Sequence, residues 1–184
     1  MTTEQYLVVV LLAIAAAFLI RRLVQATYMW KYRGRMLVVC PENMRTAAVK
    51  VATLRAALGG LVNRGHLSLC ECSRFHGRPD CDQACVRQIE RHPGEHRVWN
   101  IASDWFAGMK CSYCGKPIER LSHLDHAPAL MKIRDRKTVE WKDLPPEQLP
   151  DAFSESVPVC WSCHTTETFL QKFPGRAVER PWRH

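Results

Sequence analysis

The chain has 184 residues, with nine cysteines, 26 Lys and Arg, 18 Asp and Glu, and a formal charge of +8. That length suits one modest domain or two very small ones. The charge is a weak warrant for nucleic-acid binding: five of the basic residues flank an apolar run, and from Cys40 onward 21 Lys and Arg face 17 Asp and Glu, an ordinary balance for a soluble domain.

Residues 5–20 are uncharged and almost wholly apolar. The run is slightly short for a membrane span, but Arg21 and Arg22 can snorkel to the headgroups and bring Leu23 and Val24 into the hydrocarbon. Tyr28 and Trp30 then fall where an interfacial aromatic belt would. Only Glu4 precedes the run, whereas Arg21, Arg22, Lys31, Arg33 and Arg35 follow it. The positive-inside rule therefore predicts a single-pass protein of the inner or plasma membrane, its N-terminus outside and its body cytoplasmic. The alternative is a signal peptide cleaved near Val24 or Ala26. Against it stand the lack of a positive charge ahead of the run and the two arginines behind it. A buried core helix would need a polar face, which the run lacks.

Beyond this segment, the β-branched run 36–40 predicts a strand, Pro41-Glu42-Asn43 a turn, and 46–52 the hairpin partner. Residues 54–58 read as a helical turn ended by Gly59-Gly60. Alternation over 66–72 predicts a strand, followed by a loop with Gly77, Pro79 and Asp80. Residues 82–91 look helical and Pro93-Gly94 stops them. Residues 98–109 carry apolar side chains at helical spacing. A strand is expected over 138–141, a Pro-rich loop over 144–152, and a helix over 165–173 closed by Pro174-Gly175. Trp99, Trp105, Phe106, Trp141 and Phe169 are expected in the core; a stacking platform for bases is the alternative.

The cysteines fall in two groups. Cys111-x2-Cys114 and Cys160-x2-Cys163 form two knuckle-like pairs, and two such pairs complete a tetrahedral thiolate shell for zinc. Gly115 permits the tight turn after the first pair, and the second pair opens a predicted helix whose dipole favours thiolate. The alternative is four free core thiols. The string CWSCH also fits c-type haem attachment with His164 as axial ligand, but this requires export and leaves Cys111 and Cys114 unexplained.

The other group is less regular. Cys40, Cys72, Cys81 and Cys85 are the favoured ligand set of a first metal site. Cys81 and Cys85 are expected one helical turn apart, and Cys70 shares a strand face with Cys72 and could replace a ligand. His66 and His76 are further alternatives. Zinc and an iron–sulfur cluster both suit an all-thiolate site, and metal-free structural thiols remain open.

The strings CSYCGKPI, HLDHAP and VCWSCHTTET together resemble the HNH-type endonucleases over residues 110–173. The resemblance implies a ββα treble clef, with His126 as the general base that activates water. It also implies that Asp125 and His164 hold a Mg²⁺ or Mn²⁺ ion against the scissile phosphate. His123 reads instead as a packed residue near the knuckle. The pattern is incomplete: the Gly-Gly after the DH segment and the Asn before the last cysteine pair are absent, and the insert between His126 and Cys160 is long.

The expected architecture is α+β. Residues 1–35 form the transmembrane anchor and basic juxtamembrane stretch. Residues 36–97 form a Cys-rich subdomain with the first metal site, and 98–184 a zinc-ribbon or HNH-like treble-clef subdomain. The expected function is a membrane-anchored zinc-binding accessory or interaction protein with a protein partner in the membrane, a subunit of a larger membrane complex being one form of this. An HNH-like nuclease and an iron–sulfur electron carrier are the alternatives.

Overall fold

A computed structural model describes residues 3–52, 67–74, 80–123 and 125–175. The expected helical turn over 54–58, and His66 and His76, lie outside these residues. Helix α1 spans Thr3–Lys31 and buries none of its residues. At 1.5 Å per residue it is about 43 Å long. It is long and apolar enough to cross a membrane, with a mean hydropathy of 2.5 over its most apolar window. Its C-terminal end is not a loose tether. The Tyr32 amide bonds back to the Tyr28 carbonyl at 3.1 Å, and Tyr32 is buried in the first core with Tyr28 packed beside it.

Strands β1 (Arg35–Val39), β2 (Thr46–Val51) and β3 (Leu69–Cys72) form an antiparallel sheet in that order. The β1–β2 hairpin follows the sequence reading. Its loop is set by Asn43, whose Oδ1 accepts the Arg45 amide at 3.1 Å, and by Met44 in the left-handed region. Helix α2 (Val86–Arg91) packs Val86 and Ile89 onto Met36, Val38, Val49 and Val51. Its Gln88 side chain clamps the free edge of β1 by bonding both the amide and the carbonyl of Val39. Beyond it, the Leu37 amide donates to the His96 carbonyl and His96 Nδ1 donates to the Leu37 carbonyl, both at 2.7 Å.

The second half starts with α3 (Val98–Phe106). Strands β4 (Ala129–Lys132), β5 (Thr138–Glu140) and β6 (Ser156–Val159) form a second antiparallel sheet in the order β5-β4-β6. Helix α4 (Leu149–Ser154) leads into β6, and α5 (Trp161–Lys172) follows it. Ala102 and Phe106 of α3 meet Leu130, Trp141, Leu149 and Phe153 in the second core, with Trp99 and Trp105 packed at its margin. The fold is thus a mixture of helix and sheet, as expected.

Several expectations change in detail. The Pro-rich segment 144–152 is not a loop: it makes a 3₁₀ turn at Pro146–Gln148 and then α4. Pro146 is the first residue of the 3₁₀ turn and Pro150 the second of α4, positions where a missing N–H leaves no helical bond unmade. The 3₁₀ turn packs against β1 and β2, so this segment of the second half covers part of the first sheet. Phe169 does not enter the core; it is exposed and lies 5.0 Å from the Phe173 ring. The helix expected over 82–91 begins only at Val86, and the helix expected at 165 begins at Trp161.

Candidate metal centre

The first cysteine pair sits at the tip of a tight hairpin. The Ile118 amide donates to the Met109 carbonyl, the Cys111 amide to the Lys116 carbonyl, and the Gly115 amide back to the Cys111 carbonyl at 2.9 Å. Gly115 turns the chain at φ +70°, a conformation that costs a side-chain-bearing residue energy. The second pair is built differently. Cys160 caps α5 and Cys163 lies in its first turn, at the positive end of the helix dipole. Ser112 joins the two: its amide and hydroxyl both donate to the Pro158 carbonyl, at 2.9 and 3.0 Å. Pro158 can occupy β6 because that strand lies at the sheet edge.

These constraints gather the four sulfurs of Cys111, Cys114, Cys160 and Cys163 within 4.8 Å of one another. Cys114 Sγ and Cys160 Sγ are 3.7 Å apart. A tetrahedral ion with metal–sulfur bonds of about 2.3 Å requires sulfurs about 3.8 Å apart, so the spacing fits a metal such as zinc. Cys111 and Cys163 are buried against Met131 and Val159, and Cys114 and Cys160 close the outer side. Burial would raise the Cys111 thiol, but amide bonds from Cys114, Cys160 and Tyr113 outweigh it and bring it down to about 7. One of these bonds, from the Cys160 amide, measures 3.3 Å. Burial, and then the neighbouring sulfurs, push the Cys163 thiol up, and burial raises Cys160 as well. A cluster that stabilises one thiolate while holding protons on its neighbours is one in which a divalent cation can displace those protons.

The first group has a different form. Cys40 follows β1, Cys72 ends β3, Cys81 lies in the loop before α2, and Cys85 caps α2. All four line one cleft of about 670 Å³. Cys81 and Cys85 are not a helical turn apart as expected. Gln83, at φ +54°, turns the intervening loop, and its side chain accepts the Leu69 amide at 2.8 Å. Cys70 also departs from the strand argument. Glu71 pairs with Lys50 and Leu69 with Val51, so Cys70 is the extra residue of a β-bulge. It is exposed, with its thiol donating to the Lys50 carbonyl at 3.4 Å. Burial first, then Cys72, Cys81 and Cys40, push the Cys85 thiol up to about 11.

The residues suggested by the HNH resemblance occupy the same half. His164 is buried beside Cys163. Its Nδ1 meets Thr138 Oγ1 at 2.9 Å, and its Nε2 lies 3.9 Å from Glu140. Asp125 and His126 are exposed just ahead of β4. The His126 ring stacks on Trp161 at 4.6 Å, and Trp161 in turn lies 5.9 Å from His164. His123 is exposed and stacks on Trp99 at 3.9 Å. Sequence reasoning did not anticipate Ser112, Thr138, Glu140 or Trp161 around this centre. Their partners are remote along the chain or in elements that had no local signal, so no spacing reveals them. No family model matches the chain, and neither curated proteins nor solved structures give a match.

Proposed function

We propose that this chain is a single-pass membrane protein whose cytoplasmic body is a zinc-stabilised interaction module, holding a protein partner at or in the membrane. The carrying observation is the closed set of four sulfurs from Cys111, Cys114, Cys160 and Cys163. Structural zinc sites use four protein ligands, whereas catalytic ones keep a position open for water or substrate. A small body with divided cores gains folding free energy from such an ion. The order of knuckle, antiparallel strands and a helix opened by the second cysteine pair supports the treble-clef reading. The apolar α1, with basic residues after it and one acid before it, supports the membrane placement and its orientation.

The nuclease reading is the weaker one. Its support is the chain order of Asp125-His126, β4 and His164 on α5. Against it, the His164 ring faces Thr138 and Glu140, and Trp161 stacks on His126. A metal-assisted hydrolase needs its base and metal ligands to converge on one reacting phosphorus.

Two measurements on the full chain test the proposal, the first in intact cells and the second on protein purified in detergent. Reporter fusions at each terminus are expected to place the C-terminus in the cytoplasm; an exported C-terminus sinks the membrane orientation. Plasmid nicking with added Mg²⁺ or Mn²⁺ is expected to be absent. Nicking that disappears in His126→Ala replaces the interaction module with the nuclease.

A further inference from the structure

We infer that Cys40, Cys72, Cys81 and Cys85 hold a second thiophilic metal ion, a zinc ion, in the cleft of the first sheet. The inference is independent of the membrane and partner reading. Three separate chain segments deliver these residues to one place: the β1–β2 turn, the end of β3 and the loop that enters α2. Cys40 and Cys85 are buried in the first core, and Cys72 packs against it. Cys81 stands at the partly exposed rim.

Local structure explains why the set is these four. Cys70 lines the same cleft, but the bulge leaves it exposed with its thiol donating to the Lys50 carbonyl, so Cys72 is the β3 sulfur that packs on the core. The Cys81–Cys85 loop is fixed at three points. Asp82 Oδ1 accepts the Ala84 amide at 3.0 Å, the Val86 amide bonds the Gln83 carbonyl at 2.9 Å, and Gln83 bonds β3. A residue with a side chain held at positive φ is uncommon, and here it turns the chain so that the cysteines on both sides of it line the cleft. On the other side, the Met44 amide returns to the Cys40 carbonyl at 2.8 Å and fixes the strand end.

Packing alone does not account for this gathering. A buried cysteine can serve as a small apolar residue, but Cys72 and Cys81 are only partly covered and contribute little as apolar filler. Nearby thiolates repel one another. Four thiols on one cleft are the ligand type and number that a thiophilic divalent cation takes, and binding one cation offsets that repulsion. These sulfurs stand wider than the C-terminal group, which is the one that closes to within 4.8 Å among the described residues. Ion binding therefore draws the rim cysteines inward, and the cleft leaves room for that movement.

The test is metal content of the full chain, purified anaerobically in detergent. Two zinc ions per chain are expected, falling to one in Cys85→Ser and to one in Cys81→Ser. The second variant changes a partly exposed rim position and guards against a simple packing defect. Cys70→Ser is expected to keep two. Cobalt substitution is expected to give sulfur-to-metal charge-transfer absorption that halves in either first-group variant. One zinc in the unaltered chain, two zinc ions retained in Cys81→Ser and Cys85→Ser, or loss of one zinc in Cys70→Ser would each overturn the assignment. Iron with acid-labile sulfide and a brown colour, lost in Cys85→Ser, would replace zinc by a cluster. Cys111→Ser empties the other centre, so failure at one group is read separately from failure at the other.

Discussion

The two cysteine groups reach a similar composition by opposite routes. In the C-terminal group, each pair is local. A five-residue turn closed by Gly115 presents Cys111 and Cys114, and the first turn of α5 presents Cys160 and Cys163. Tertiary structure has only to bring two preformed clips together, which the Ser112 bonds to Pro158 accomplish. In the first group, β1 and β3 must pair on either side of β2, and α2 must dock, before Cys40, Cys72 and Cys85 share one cleft. The difference teaches that ligand spacing in sequence reports how local a site is, rather than whether one exists.

The sharpest way to break this comparison is to remove the C-terminal clip. Cys163→Ser, or a strong chelator, is expected to abolish cooperative unfolding of the second half, because binding of a structural zinc is worth about 10–16 kcal/mol in small peptides. Near-ultraviolet circular dichroism of the tryptophans reads the loss. An unchanged thermal transition would show that the second core stands without metal. Next in size is Phe106→Ala, which empties a fully buried position of that core. It is expected to lower stability by about 3–5 kcal/mol in a denaturant titration of the zinc-loaded protein. A smaller effect comes from Gly115→Ala. No atom lies within 4 Å of the added Cβ, so the cost is the left-handed backbone alone, roughly 1–2 kcal/mol. Competition with a chromophoric chelator should register about ten-fold weaker zinc retention at that centre. Smallest is Phe169→Ala: with its side chain exposed beside Phe173, the unfolding midpoint should move by less than about 0.5 kcal/mol. A larger shift there would mean that α5 has an apolar partner.

The first hairpin and the gathering of the four C-terminal cysteines were legible because their signals are local: a Pro-Glu-Asn turn between β-branched runs, and two C-x2-C pairs. What sequence reasoning misread came from elements decided elsewhere. Period-two alternation put Cys70 on the face of Cys72, yet one extra residue against β2 cancels the alternation. Pro146 and Pro150 suggested a loop, although proline suits the start of a helical turn. Pro158 concealed β6, which tolerates it only at the edge of the sheet. Neither the edge position nor the bulge can be known before the strands are paired. The aromatic expectation divided for a similar reason. Phe106 and Trp141 face other elements, whereas Phe169 projects from a largely polar helix.

Tyr32 has a mechanical consequence. It is buried in the first core only one residue past the end of α1, and the guanidinium groups of Arg33 and Arg97 both lie over the Trp30 ring, at 5.7 and 5.8 Å. Arg97 in turn bridges to Met36 at the start of β1. The apolar helix is therefore a stiff shaft rather than a leash. Rotation or tilt of that shaft would bear directly on β1, the strand that Cys40 follows.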